Sequence, residues 1–149
     1  KHGNDREKTI RQIYKDKDIS TVMIGGFPSG VKRQSAWIKD WKELYPRLEP
    51  ARSTLCFNWI DPTATTSRYP EALSIGMIPF VWRDYDINNT YNIDDYQRVS
   101  SFGDLKDRIL QLRDETVFKQ TLELVRTNYK QVLLSEDEYY RQFSERMVW

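Results

Sequence analysis

The chain has 149 residues, of which 39% are hydrophobic, 13% aromatic and 30% charged, with a formal net charge of +1. That is one ordinary domain with enough apolar material for a real core, and the balanced charge gives no global argument for a nucleic-acid or membrane surface. One cysteine (Cys56) and one histidine (His2) exclude an internal disulfide, a Cys/His zinc site and an interior Ser-His or Cys-His triad.

The opening "KHGNDREKTI" lacks a starting methionine and moves into a helix almost at once, as expected of a piece of a longer protein. There is no signal-peptide core and no apolar run of membrane-spanning length, so a cytoplasmic protein without membrane contact is expected. "NNT" at Asn88 to Thr90 fits a glycosylation sequon and reads as a loop.

In chain order, Asp5 to Asp16 predicts a helix with Ile10, Ile13 and Tyr14 on one face. "ISTVMIGGF" predicts a strand ending in glycines, and "GGFPSG" a loop. Gln34 to Leu44 predicts a second helix, with Trp37, Ile38, Trp41 and Leu44 on one side and "PRLEP" ending it. "STLCFNW" predicts a buried strand, "IDPTATTS" a loop, Pro70 to Ile75 a short helix stopped by Gly76, and "MIPFVW" the next strand. A long polar loop, "RDYDINNTYNIDDYQ", leads to a short strand in "RVSSF". Three helices close the chain: one from "SFGD" through Leu105, Ile109 and Leu112, one from about Thr116 through Phe118, Leu122, Val125 and Tyr129, and one from Ser135.

Alternating helices and apolar strands predict an α/β, Rossmann-like parallel sheet, with helices on both faces and helices at the C-terminus, in one domain over residues 1–149. Ligands of such sheets lie beyond the carboxyl ends of the strands. "GGFPSG", "NWIDPTATTS" and "RDYDINN" fall at that rim.

The glycines of "GGFPSG" lack the G-x-G-x-x-G spacing and the Walker lysine, and alone read as a plain turn. Pro70 suits a first helical position, and Glu71 would then offset the helix dipole by about 0.3–1 kcal/mol. Asp84 and Asp86 form a D-x-D that reads as solvated loop rather than a metal site. Arg68, Arg83 and the Lys32-Arg33 pair are cations near the rim, placed to touch phosphates of a donor or of a nucleic-acid acceptor, and taken singly they read as surface residues.

The segment "RYPEALSIGMIPFV" resembles the donor site of retaining, glycogen-synthase-like glycosyltransferases of the GT-B fold. Their pattern E-A-x-x-x-G-x-x-P falls on Glu71, Ala72, Gly76 and Pro79. The segment is also similar to that of the T-even phage DNA α-glucosyltransferases. The upstream member of the family's acidic pair falls on Thr63, with Asp61 and Ser67 nearby. The family's Gly-Arg and following Lys have a looser counterpart in Gly3, Arg6 and Lys8, and its glycine-ended strand in Gly25 and Gly26.

The resemblance implies a donor-binding domain for a nucleoside-diphosphate sugar, without a further cofactor or metal. Glu71 would hold the ribose and Arg6 and Lys8 the diphosphate. Thr66 and Ser67 would contact phosphate or sugar, Gly25 and Gly26 would lie near the nucleotide, and Phe27 or Trp59 would stack on the base. An N-terminal acceptor-binding domain would complete the enzyme, with DNA or a saccharide among the acceptors. The alternative is a non-catalytic Rossmann-like or flavodoxin-like interaction module, in which Glu71 only caps a helix.

Overall fold

A computed structural model describes residues 2–22, 29–32, 38, 40–57 and 65–133, with backbone alone at 2–5 and 41. Among these, the chain is an α/β fold. Three parallel strands are ordered β1-β2-β3: β1 (Ser53–Cys56), β2 (Ile78–Trp82) and β3 (Arg98–Val99). The helices are α1 (His2–Lys15), α2 (Trp41–Leu48), α3 (Arg68–Ser74), α4 (Phe102–Gln111) and α5 (Glu115–Lys130).

Every residue of β2 is buried, as a central parallel strand covered on both faces requires. Its alternate residues feed two cores. Val81 joins Cys56, Tyr69, Leu73, Tyr85, Ile93 and Val125 on the face covered by α3 and α5. Ile78, Phe80 and Trp82 join Val99, Leu105 and Leu112 on the other face, against α4 and Ile13 of α1. The expected helices on both faces are present.

Pro79 sits in this central strand, where a proline normally removes a ladder bond. Here β3 pairs only from Val81 onward. The Gln97 amide takes over beside Pro79, its Nε2 donating to the Pro79 carbonyl at 2.8 Å. Gln97 closes a short 3₁₀ turn (Asp95–Gln97) whose capping box is formed with Asp94.

Helix boundaries follow their caps. Ser101 accepts from Asp104 N–H to start α4, and Asp114 accepts from Thr116 and Val117 to start α5. Helix α3 ends in a Schellman motif: Met77 N–H donates to Ala72 O at 2.9 Å and Gly76 N–H to Leu73 O at 3.3 Å. Gly76 takes φ +84, the left-handed value expected of a helix-stopping glycine.

Two expectations are corrected. The second helix, expected over 34–44, is described as Trp41–Leu48 and runs past its expected end, with Asp40 as its cap and Pro46 inside it, while 34–37 and 39 lie outside the described residues. The proline forgoes one intrahelical bond instead of ending the helix. Helix α3 begins at Arg68, so Pro70 occupies its third position, where a missing N–H still costs nothing. The pre-proline bias against helix at Tyr69 is overridden by burial, since its ring is fully enclosed. Residues 19–22 carry no strand, while 23–27 and the helix expected from Ser135 lie outside the described residues.

Candidate functional site

A cavity of about 750 Å³ runs along the edge of β1 that does not pair with β2. Ser53, Thr54 and Leu55 form one wall, α1 supplies Arg6, Ile10 and Ile13, and α3 supplies Arg68, Glu71, Ala72 and Ile75. Helix α3 leads away from the carboxyl end of β1, so its first turns place Arg68 and Glu71 toward that end. Arg52, just before β1, marks the opposite end.

Arg52 donates to Leu112 O at 2.6 Å, pairs with Glu115 at 2.6 Å and lies over the Phe118 ring. Arg113 donates to the carbonyl of Asp18. Arg52 thus ties the start of β1 to the α4–α5 junction, and Arg113 ties that junction to the segment after α1. At the other end, partial burial lowers the Arg6 guanidinium from its ordinary pKa, and the neighbouring charge of Arg68 adds to that, with Glu7 opposing. Arg6 and Arg68 both line the cavity, and two like charges on one cavity wall make a local field suited to an anion. Glu71 lines the same cavity while remaining exposed, which puts a hydrogen-bond acceptor at its mouth.

The structure brings together Arg6 and Glu71 of the sequence-predicted residues. Lys8 is exposed and does not line the cavity. Two helical residues after Arg6, it projects from the far side of α1, because neighbours on one face recur at three and four. Thr66 is half-buried and does not line the cavity. Its N–H donates to the Tyr85 hydroxyl at 3.0 Å, and the Tyr91 hydroxyl donates to its carbonyl at 3.4 Å. Ser67 is exposed at the start of α3 and makes no capping bond. Gly25, Gly26, Phe27, Trp59, Asp61, Thr63 and Arg33 lie outside the described residues.

No family model matches this chain, and comparison with curated proteins and with solved structures likewise finds no match.

The D-x-D reading is corrected in part. Asp84 stays near the surface, 3.7 Å from Arg83. Asp86 is fully buried, not solvated, and its two carboxylate oxygens accept from Thr90 N–H and Tyr91 N–H at 2.8 Å each. It closes the loop after β2, with φ 52 tolerated by aspartate. Among the described residues no group of His, Cys, Asp or Glu could hold a metal ion. Cys56 is 1% exposed, and burial pushes its thiol up to about 12, so it is an inert core residue. No helix among the described residues is long and apolar enough to cross a membrane.

Arg68 is exposed, in keeping with its reading as a surface cation near the rim, and from the first residue of α3 it also lines the cavity. Gln97 and the tyrosines around it carried no motif; their only trace was the density of Tyr between Tyr69 and Tyr96.

Proposed function

We propose that this chain is the donor-binding domain of a GT-B glycosyltransferase, and that it holds a nucleoside-diphosphate sugar for transfer to a hydroxyl acceptor. The supporting observation is that Arg6, Arg68 and Glu71, from two separate helices, line one cavity. The order of the α/β elements and the "PEALSIGMIP" segment agree with the reading.

In this reading the diphosphate lies against Arg6 and Arg68, and a ribose hydroxyl donates to the Glu71 carboxylate. As the sugar transfers, the bond from its anomeric carbon to the diphosphate oxygen breaks and the electron pair stays on the diphosphate. The acceptor oxygen forms the new bond, and its proton passes to the departing diphosphate. Charge therefore grows on the diphosphate, where preorganised guanidinium groups stabilise it more than they stabilise the bound donor. Lys8 has no part in this arrangement. The acceptor, a saccharide or DNA, belongs with an N-terminal domain on the same or another chain. The reaction is proposed for the cytoplasm, in keeping with one unpaired buried thiol.

A thermal-shift and calorimetry panel of UDP, GDP, ADP and their glucose conjugates tests this. One nucleotide is expected to raise Tm without divalent metal. Saturation at a hundred times Kd corresponds to about 2.7 kcal/mol. Arg6→Ala and Glu71→Ala should each weaken binding, while Lys8→Ala leaves it unchanged. If no nucleotide binds, the donor reading fails and the non-catalytic interaction module takes its place.

A further inference from the structure

The loop after β2 does more than connect. Arg83 to Asn92 forms a closely bonded unit fixed at three points. Asp86 gathers the backbone N–H groups of Thr90 and Tyr91. Arg98 donates to the carbonyl of Tyr85 at 2.6 Å. Asn92 donates to the Asn128 carbonyl at 3.1 Å, which ties the loop to the last turn of α5. Three residues at positive φ, Asp86, Asn89 and Asn92, let the chain turn tightly enough to make these bonds.

From this fixed unit two tyrosine hydroxyls reach one residue. The Tyr85 hydroxyl receives Thr66 N–H at 3.0 Å and lies 3.2 Å from Thr66 Oγ1 and 3.3 Å from Thr66 O. The Tyr91 hydroxyl donates to the same carbonyl at 3.4 Å. Thr66 stands two residues before Arg68, and its carbonyl also accepts from Tyr69 N–H at 3.4 Å in the opening of α3. The rings account for the packing: Tyr85 is fully buried in the core, and Tyr91 stacks on Tyr69 with centroids 5.0 Å apart. Phenylalanine would fill the same space. The hydroxyls add direction: they fix where the chain enters α3.

We infer that Tyr85, assisted by Tyr91, is a positioning residue for the cavity: its hydroxyl sets the entry of α3 and thereby holds Arg68 at the cavity that Arg6 also lines. Neither tyrosine lines the cavity. The inference rests on the donor-domain reading, which supplies the anion that Arg68 meets. Arginine makes this placement matter, because its planar fork binds a phosphate only from a defined direction, whereas a lysine on a flexible stem tolerates a shifted backbone.

The test is a double-mutant cycle on the full chain, read by calorimetry with UDP, GDP and ADP at a temperature where every variant is folded. Tyr85→Phe is expected to weaken the tightest of the three about tenfold, the order of one or two lost hydrogen bonds. In the Arg68→Lys background the same change should have little effect. Tyr91→Phe should show the same pattern with a smaller loss, and it stands in if Tyr85→Phe does not fold. Unchanged affinity in Tyr85→Phe and Tyr91→Phe, or an equal loss in both Arg68 backgrounds, would overturn the inference and leave the donor reading intact. A parent chain that binds none of the three nucleotides overturns the donor reading and this inference with it.

Discussion

Replacing Gln97 by leucine should be among the most damaging single changes outside the cavity. Gln97 is fully buried between β2 and the start of β3. Its Nε2 donates to Pro79 O at 2.8 Å and lies 3.0 Å from the Tyr69 hydroxyl, which is itself 3.1 Å from Gln97 Oε1. Leucine fills most of the volume but leaves the Pro79 carbonyl and the Tyr69 hydroxyl buried without partners. Each unmet group costs about 1–3 kcal/mol, so the loss should be roughly 2–6 kcal/mol. A drop near 3 kcal/mol corresponds to a Tm lower by about 10 °C for a chain of this size.

Urea denaturation and calorimetry would measure the loss, and Tyr69→Phe supplies the control. That change removes the hydroxyl along with its need for a partner, and should cost about 1 kcal/mol. The double variant should then lose less than the sum of the two, because the hydroxyl left orphaned by leucine is gone. Gln97→Leu within about 0.5 kcal/mol of the parent would refute the reasoning, since surface changes do as much. Strictly additive losses would refute the coupling.

Two further outcomes follow from single contacts. At Gly76, φ +84, an added Cβ would meet Arg126 Nη2 at 3.8 Å, an ordinary contact, so Gly76→Ala should lose about 1–2 kcal/mol through left-handed strain alone, read as a lower urea midpoint with unchanged m-value. Asp16 is held below its ordinary carboxylate pKa, chiefly by its hydrogen bond from Lys106, whose ammonium also meets Asp18. A depressed folded pKa gives stability that is present above the unfolded value and lost as pH falls through the folded one. Tm should therefore decline below about pH 4, and Lys106→Met should flatten that decline. An identical acid limb in both proteins would rule the pair out as its source.

Much of the fold was legible because it depends on local signals. The run "MIPFVW" between Gly76 and Arg83 reads as a buried strand, and it is one, since a central parallel strand has no solvent face to show alternation. Gly76 marked a helix end through its φ. Helices α4 and α5 follow from Ser101, Asp114 and the spacing of Leu105, Ile109, Phe118, Leu122 and Val125. The end of the second helix was misplaced because the proline after Leu44 reads as a stop, yet the helix capped by Asp40 continues through Pro46.

The sequence by itself determined the fold class and, from Ser53 to Lys130, the order of the elements. Periodicity, caps and a left-handed glycine act over a few residues, and all are written in the local chain. Tertiary structure alone decided which charges meet. Arg6 and Arg68 lie far apart in the chain and face one cavity, while Lys8, two residues from Arg6, projects from the other side of α1. It also decided that Asp86 is buried and that Gln97 stands in beside Pro79. Burial and electrostatics depend on distance through space, and the sequence records distance only along the chain.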